Sequence, residues 1–501
     1  MGRRPYDAST VEAVLPVPRL RSTLLLPVAS GLVALVVYLA TAAPGITWRN
    51  GGIDSGELAT AVATGSVAHP PGYPTYLLVG AAVTRLTADP ARALAWLSAV
   101  CGAVTVACVA AAASRGGSGW TGAVTGSAVA LIIGTSFLLW SNSTYAEVNA
   151  PAAAVVGVWL VTQGWRSRPA GWLALEGVAL GLALGIHMLL GILLVGTAAG
   201  VVIEAPRGKG PAGRLLALAG GAVVGAAVFG ALGLWPPAGP VNWYAPQMAA
   251  GWLALVTADA YRGLLDFGGA PLRLLVMLRQ LVGNLAFLGA IAAVIGTQEV
   301  LARKADRWKG GTLLCTGLAL PYVIFASLYA ARDAEVYLLP ALVLLTPAMA
   351  TGCRAAAIQL RSVMTRYGPA LFASIALAPG AIQGLRQVNA LNLSGDHQAA
   401  SYAEAVLSTA PRDGVVLVDG DAATFALWYA RYARGVRPDV AVLNEDLLYR
   451  DWYRAHVGRL HPLVLLPEFP AIETERTALA QRITAANAGR FTVVLAPEPQ
   501  G

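Results

Sequence analysis

Long apolar stretches dominate this chain and most constrain how it can fold. From Leu24 onward they recur at lengths of about 20 residues, and a helix of that length crosses the hydrocarbon core of a bilayer. Only 12% of the 501 residues are charged, whereas a typical soluble domain has about 25%. We therefore predict a polytopic α-helical membrane protein.

Short basic clusters separate the apolar stretches and predict the side of the membrane on which each loop lies. Lys and Arg concentrate in cytoplasmic loops of membrane proteins, so topology explains the net charge of +8 and no nucleic-acid partner is expected. The clusters are Arg3–Arg21, Arg115, Arg166/Arg168, Arg207–Arg214, Arg303–Lys309 and Arg354–Arg366. Placing all of them in the cytoplasm predicts about eleven spans, near residues 24–43, 93–113, 119–140, 150–165, 170–186, 188–204, 214–235, 280–299, 311–331, 336–352 and 367–385.

This topology has a cytoplasmic N-terminus, residues 1–23, with an uncleaved first helix. A membrane domain, 24–385, follows, and its first outer loop covers 44–92. Residues 73–86 are also apolar, but a crossing there would move the later basic clusters through Arg214 to the outside. We therefore predict a re-entrant or in-plane helix over 73–86, with a crossing helix as the alternative.

The C-terminal part, 386–501, is polar and contains no spanning stretch. Val415–Val418 and Val440–Leu443 are typical of short buried strands, Ala422–Tyr432 of a helix, and Phe491–Leu495 of a last strand. Alternation of strands and helices favours parallel pairing. We predict a small extracytoplasmic α/β domain and a C-terminus outside the cell membrane.

The first outer loop carries the most suggestive group of polar residues. Asp54 and Glu57 are three residues apart and face the same way on a helix, and His69 follows in a rigid Pro-Pro-Gly turn. Carboxylates at a membrane surface can act as a general base or bind a metal. The structural alternative is a solvated loop in which Asp54 or Ser55 caps a helix.

Further candidates lie at other outer ends of predicted helices. Glu147 follows a segment whose Trp140 and Tyr145 are typical of the membrane interface, and an acidic group at membrane depth usually has a partner or a function. His187 lies between two apolar runs. A histidine whose hydrogen bonds are satisfied within a helix turn is as much expected there as a functional one. Arg92 and Arg332 could hold a phosphate, since a forked guanidinium suits that anion; the alternative for Arg332 is a local ion pair with Asp333 or Glu335. Tyr337, at the end of the same segment, is a further candidate.

Several function classes have no support in the sequence. No Walker loop, dinucleotide-binding glycine motif, zinc-protease motif or nucleophile elbow occurs. The four cysteines (Cys101, Cys108, Cys315 and Cys353) lie in or near predicted helices, which indicates packing and no disulfide framework.

Longer motifs resemble those of a known family. The stretches concerned are DSGELATAVATGSVAHPPGYPTYLLVG from Asp54, WSNSTYAEVNAP from Trp140, GLALGIHMLL from Gly181, GPVNWYAPQ from Gly239, RDAEVYLLP from Arg332, and DGDAATFALWYARYARGVRPDVAVLNEDLLYRDWY from Asp419. They resemble a membrane glycosyltransferase family long catalogued as a domain of unknown function, which includes an animal protein O-mannosyltransferase acting on plexin-type receptors. The resemblance covers roughly residues 30–455.

The resemblance implies a GT-C-like fold and an enzyme that uses a sugar linked to polyprenyl phosphate. It implies that Asp54, with Glu57, is the catalytic acid pair of the first outer loop. We expect Asp54 to be the base, Glu57 and His69 to orient the sugar or acceptor, and Arg92 and Arg332 to hold the phosphate. Remaining expected substrate contacts are Glu147, His187, Glu335 and Tyr337.

The expected reaction is inverting transfer of a sugar, by resemblance mannose, to extracytoplasmic protein Ser/Thr hydroxyls. No cofactor is expected and metal dependence stays open. Two departures from the family pattern affect the acceptor: Asn149 replaces an expected aromatic residue, and Asp419-Gly420-Asp421-Ala422 stands where relatives often have an acidic residue followed by Asn. Alternatives are a cell-envelope glycan or lipid glycosyltransferase, a lipid-linked-sugar transporter and a nonenzymatic receptor.

Overall fold

The computed structural model describes residues 22–117, 119–163, 168–205, 210–234, 239–302, 309–363, 367–468 and 476–499. The N-terminal segment 1–21 and the basic residues Arg166, Arg207 and Arg303 lie outside the described residues, so their predicted cytoplasmic placement stays a prediction.

Helices form nearly all of the membrane part. In chain order they are α1 (Ser22–Thr41), α2 (Ser55–Thr64), α3 (Pro74–Val83), α4 (Pro90–Ser114), α5 (Gly119–Gly134), α6 (Phe137–Asn142), α7 (Asn149–Thr162), α8 (Ala170–Leu184), α9 (Gly191–Ile203), α10 (Ala212–Ala226), α11 (Gly230–Gly233), α12 (Ala249–Val256), α13 (Ala270–Asn284), α14 (Leu288–Ala302), α15 (Lys309–Leu328), α16 (Leu339–Leu344), α17 (Thr346–Val363) and α18 (Gly368–Leu391).

Among the described residues, four helices are long and apolar enough to cross a membrane: Pro90–Ser114, Ala212–Gly233, Gly311–Leu328 and Gly368–Leu391. Two further helix pairs meet the same test together but are bent, by 101° between α13 and α14 and by 52° between Ala334–Leu344 and Thr346–Leu360. Shorter apolar helices occupy Leu25–Thr41, Gly119–Gly134, Asn149–Thr162, Ala170–Leu184 and Met188–Ile203. These units follow the predicted spans in order along the chain.

Three predicted spans need correction, and one of them, near 336–352, is bent by 52° between Ala334–Leu344 and Thr346–Leu360. The span near 280–299 is not one straight helix, because Ala286 and Phe287 adopt left-handed backbone angles between α13 and α14. The span predicted to reach residue 140 ends at Gly134, since the Ser136 hydroxyl accepts a hydrogen bond from the main-chain N–H of Leu139 and begins the separate helix α6.

The apolar segment 73–86 contains the ten-residue helix α3. A helix of that length is about 15 Å long, roughly half the thickness of the hydrocarbon core. The length supports the predicted in-plane helix over the alternative crossing.

The C-terminal part is the predicted small α/β domain. Its elements are α19 (Gln398–Thr409), β1 (Val415–Val418), α20 (Asp421–Trp428), β2 (Ala441–Asn444), α21 (Asp451–Leu460), α22 (Arg476–Ala486) and β3 (Val493–Leu495). The three strands pair in parallel in the order β2-β1-β3, as predicted. α18 runs to Leu391, six residues past the predicted domain boundary at 385.

This domain packs directly on the first outer loop. Apolar side chains of α2 and α4, such as Leu58 and Leu94, share one buried cluster with Val416 and Phe425 of the α/β domain. The fold class predicted from the sequence, a polytopic helical membrane protein with a small C-terminal α/β domain, is confirmed.

Candidate active site

A tight turn positions the first carboxylate. Residues Arg49–Asp54 form a 3₁₀-type turn with left-handed angles at Asn50 and Gly51, and α2 starts at Ser55. The Ser55 hydroxyl donates to the carbonyl oxygen of Gly52 at 2.6 Å and accepts from the main-chain N–H of Thr47 at 3.1 Å. Asp54 is thereby fixed at the head of α2, one helical turn before Glu57.

Glu57 is fully buried and holds His69 at two points. Its Oε1 accepts the main-chain N–H of His69 at 2.8 Å, and its Oε2 accepts a hydrogen bond from His69 Nδ1. This arrangement fixes the ring so that Nε2 points away from Glu57. Nε2 lies 3.9 Å from Asp54 Oδ2 and 3.2 Å from the Tyr73 hydroxyl.

His69 is a cation at neutral pH. Burial lowers the pKa of His69, but the negative charges of Glu57 and Asp54 and the hydrogen bond to Glu57 raise it more, to about 10. The site therefore contains an imidazolium group directly beside the Asp54 carboxylate.

Asp54 remains accessible, with 36% of its side chain exposed. Burial of the surrounding segment raises the pKa of Asp54 to about 6; the His69 charge lowers it, while Glu57, Asp421 and Asp333 raise it. Asp54 is thus ionised at neutral pH, with a pKa close to the value that suits a general base.

Glu147 belongs to the same cluster of ionisable side chains. It is buried at 6% exposure, and its Oε1 accepts the main-chain N–H of Val148 at 2.6 Å. Burial, followed by the charge of Asp54, raises the pKa of Glu147 to about 8. The neighbouring Tyr145 hydroxyl donates to the Asn50 carbonyl oxygen at 2.8 Å, which ties this segment to the turn before Asp54.

The two predicted phosphate-binding arginines have different surroundings. Arg92 is exposed and lies over the Trp96 ring, 5.6 Å from its centre; no contact with a described residue joins it to Asp54. Arg332 is exposed and precedes Asp333, whose charge acts on Asp54. Within the described chain, Arg332 forms no ion pair with Asp333 or Glu335, so the local-pair alternative is wrong.

His187 and Tyr337 lie together in a second cluster. Their ring centres are 5.7 Å apart, and Tyr337 also packs on Phe325 and Tyr329. His187 Nδ1 accepts the main-chain N–H of Leu189 at 3.2 Å, and burial lowers the pKa of His187 to about 4. His187 is therefore neutral and satisfied by its own turn, and its substrate role stays a prediction.

Sequence reasoning missed several groups around the site. Aromatic rings surround His69: Tyr73 at 5.2 Å, Trp243 at 6.3 Å and Tyr261 at 6.4 Å between ring centres. Asp333 and Asp421 add negative charge near Asp54. All of them except Tyr261 stand in a quoted motif, but their closeness depends on long-range packing that no local pattern shows.

An apolar cavity of about 500 Å³ lies between α3, α4, α7 and α8. Leu97, Val155 and Trp159 are among its lining residues, and Val79, Val158 and Leu175 on its rim are 43–66% exposed. One wall is Tyr76, whose pKa is raised by burial and then by the charge of Glu147. The cavity therefore begins beside the charged site and opens on the apolar surface of the helices.

Across the described ranges, no group of three or more His, Cys, Asp or Glu side chains is arranged to hold a metal ion.

Comparison with known proteins supports the resemblance seen in the motifs. Residues 54–208 match the family model described as the protein O-mannosyl-transferase TMEM260 N-terminal domain, and residues 399–460 match TMEM260-associated domain 2. A 66-residue segment is 33% identical to protein O-mannosyl-transferase TMEM260 of Mus musculus. That segment covers 13% of this chain and only 9% of the mouse protein.

One solved structure shows the fold. ArnT from Cupriavidus metallidurans, crystallised with undecaprenyl phosphate, superposes over 85% of this chain and 90% of its own, with a TM-score of 0.53 and 15% identity. An Archaeoglobus fulgidus oligosaccharyltransferase aligns over 87% of this chain and 70% of its own, with a TM-score of 0.46 and 14% identity. The chain thus matches two domain models of the TMEM260 family, over residues 54–208 and 399–460, and shares the fold of ArnT.

Proposed function

We propose that this protein is a glycosyltransferase that moves a sugar, mannose by family resemblance, from a polyprenyl-phosphate donor to Ser/Thr hydroxyls of extracytoplasmic proteins. The observation that carries the proposal is the Asp54–His69–Glu57 arrangement. It presents an accessible carboxylate that is ionised at neutral pH beside a fixed cation, at the surface of a helical membrane domain. Family membership of both matched regions supports the same reaction class.

The reaction needs a base on one side of the sugar and a cation near the leaving group on the other. Asp54 takes the proton of the acceptor hydroxyl while the hydroxyl oxygen forms a bond to the anomeric carbon. The bond from that carbon to the phosphate oxygen breaks, and the polyprenyl phosphate leaves with the electron pair. Attack opposite the leaving group inverts the anomeric centre. A phosphate leaves as a stable anion, so one carboxylate suffices, unlike the pair in most glycosidases.

His69 is the buried cation nearest to this reaction. Its position at 3.9 Å from Asp54 puts it on the same side of the sugar as the base and opposite the leaving group, so we assign it to orienting Asp54 and the acceptor. Arg332, on the segment next to Asp333, is the candidate cation for the departing phosphate. Arg92 has weaker support, since its guanidinium lies on Trp96.

The donor's lipid tail requires an apolar site that reaches the reaction centre. The 500 Å³ cavity beside Tyr76 and Glu147 meets this need, because its rim opens on exposed apolar side chains of α3, α7 and α8. We accordingly place the reaction at the extracytoplasmic surface of a bacterial cell membrane, with the N-terminus in the cytoplasm and the C-terminus outside. A cell-envelope glycan or lipid acceptor is the second candidate, since it needs the same donor site.

A transfer assay in membranes tests the proposal. Membranes containing wild type, Asp54→Asn or the control Asp259→Asn receive radiolabelled polyprenyl-phosphate mannose. Removal of a general base slows a reaction by about a hundredfold to ten-thousandfold, so we expect label in protein with wild type and the control, and a loss of that order in Asp54→Asn. Activity of Asp54→Asn within a few fold of wild type would contradict the role of Asp54. Label in lipid or glycan would change the acceptor, and no transfer by folded wild type would refute this donor.

A further inference from the structure

The C-terminal α/β domain is joined to the catalytic loop at atomic contact distance. The Trp48 indole N–H donates to the Ala422 carbonyl oxygen at 2.9 Å, across 374 residues of sequence. Gly56, between Asp54 and Glu57, packs so closely on α20 that a Cβ atom there would lie 2.6 Å from the Phe425 carbonyl oxygen. The head of α20 therefore lies against the same turn that carries Asp54.

Hydrogen bonds at two places hold the domain in this position. Asp89, just before α4, accepts hydrogen bonds from the Tyr429 hydroxyl at 2.7 Å and from the Arg434 guanidinium. Thr47, just before the Asp54 turn, donates a hydrogen bond to Asp396. Both ends of the first outer loop are thus fixed to the α/β domain, which limits movement of one relative to the other.

Asp421 is the first residue of α20 and follows the end of β1. Its side chain is exposed and forms no hydrogen bond or ion pair with any described residue. The charges of His69 and Glu57 both act on its carboxylate, which places it in the electrostatic field of the site. A carboxylate that is near the reacting groups, accessible and unoccupied can accept a hydrogen bond from a ligand.

We propose that the α/β domain is part of the active site, and that Asp421 is its contribution: an acceptor-binding carboxylate that takes a hydrogen bond from the peptide carrying the target hydroxyl. This inference rests on the proposed transferase function and adds a binding role for the second domain. An ionised carboxylate only accepts hydrogen bonds, which matches the N–H groups of a peptide backbone next to a Ser or Thr.

The test compares Asp421→Asn and the conservative Asp421→Glu with the control Asp451→Asn, which removes an exposed carboxylate from α21 of the same domain. A synthetic Thr-containing peptide is the probe, and its equilibrium binding is measured separately from mannose transfer. Loss of a hydrogen bond to a charged group corresponds to about tenfold or more in affinity. We expect Asp421→Asn to weaken peptide binding and raise the peptide KM by about tenfold, with an unchanged donor KM. Asp421→Glu should recover part of the loss, and Asp451→Asn should match wild type.

The pH profile of transfer provides a readout that a purely structural role would not move. The ionisation of Asp54 depends on the charges of His69, Glu57, Asp421 and Asp333. The charge of Asp54 in turn raises the pKa of Glu147. The Asp421 charge raises the pKa of Asp54. Removing that charge should therefore move the acid limb of the profile to lower pH.

Gly56→Ala supplies an independent variant that leaves every carboxylate intact. The added methyl group must displace α20 from the turn, so we expect weaker peptide binding as in Asp421→Asn. Gly220→Ala is the matched control, since a Cβ there meets no atom within 4 Å.

Equal peptide affinity in wild type and Asp421→Asn overturns the inference, even if both transfer mannose. A wild type that does not bind the peptide also overturns it. Peptide binding that depends on Asp421, without mannose transfer by wild type, supports the inference and refutes the proposed donor.

Discussion

Glu57 and His69 form a buried pair joined by two hydrogen bonds, one to the main-chain N–H of His69 and one to its ring Nδ1. The pair fixes the direction of His69 Nε2 toward Asp54. Because Glu57 has no exposed surface, it cannot reach a substrate in this arrangement. This burial supports a positioning role for Glu57 through His69, and the catalytic role expected from the resemblance stays a prediction.

Glu57→Gln should change the pH dependence of stability. The folded-state pKa of His69, about 10, lies above its unfolded value of about 6.5. The resulting stabilisation is present below pH 6.5 and is lost as the pH rises through 10. We expect the Tm of purified wild type to fall between pH 7 and 10, and to fall less in Glu57→Gln, where the neutral amide no longer supports the His69 charge.

Glu404→Gln is the control for this experiment, since Glu404 is exposed on α19 and should keep the wild-type slope. A Glu57→Gln protein whose Tm declines as steeply as that of wild type would show that His69 is not held as a cation by Glu57.

Glu147→Gln should have a different effect, because Glu147 is a buried acid with a raised pKa. Its folded-state pKa of about 8 exceeds its ordinary value of 4.5, with burial as the main cause. Wild type therefore loses stability as the pH rises from about 4.5 through 8, while a neutral Gln does not. We expect the Tm of Glu147→Gln to rise relative to wild type over this interval. A difference in Tm that stays constant from pH 5 to 8 would contradict the assignment.

Local sequence patterns were sufficient for much of the fold. Apolar length located the helical units, and the alternation of strands and helices gave the parallel pairing of the C-terminal sheet. The break at Ala286 and Phe287 was missed because both residues are apolar and carry no Gly or Pro signal. The end of α5 at Gly134 was also missed, because its signal is a single capping residue, Ser136, inside an apolar run.

The site was predictable only in part. Asp54, Glu57 and His69 lie within 16 residues, so one motif suggested all three, but their separate roles depend on burial that a sequence does not show. Asp421 is more than 360 residues away from Asp54, and packing of α20 on Gly56 brings it near. Arg92, in the same loop, lies over the Trp96 ring, and its expected contact with the phosphate stays a prediction.

Filling the apolar cavity should impair use of long-chain donors. Ala154 lines the cavity on α7, and Ala154→Trp introduces a large side chain where the donor tail is proposed to lie. We expect transfer from a long polyprenyl-phosphate mannose to fall at least tenfold, with much less effect on a donor with one or two isoprene units. Transfer is measured with both donors in detergent.

Val36→Trp is the control for this substitution, because Val36 is 67% exposed on α1 and lies away from the cavity. Equal loss with short and long donors in Ala154→Trp would indicate a general folding defect. Full activity with the long donor would show that the tail lies elsewhere.

Close packing of α8 on α10 depends on glycine, and the two adjacent glycines of α10 allow a matched test. A Cβ at Gly221 would lie 2.1 Å from the Ala174 carbonyl oxygen on α8, whereas one at Gly220 meets no atom within 4 Å. Small residues let membrane helices approach at backbone contact, and overpacking costs about 1–3 kcal/mol. Alanine otherwise favours a helix over glycine by about 1 kcal/mol. We therefore expect Gly221→Ala to lower the Tm in detergent and Gly220→Ala to leave it equal or higher. If both variants had the same Tm, the contact between α8 and α10 would not limit the stability of the fold.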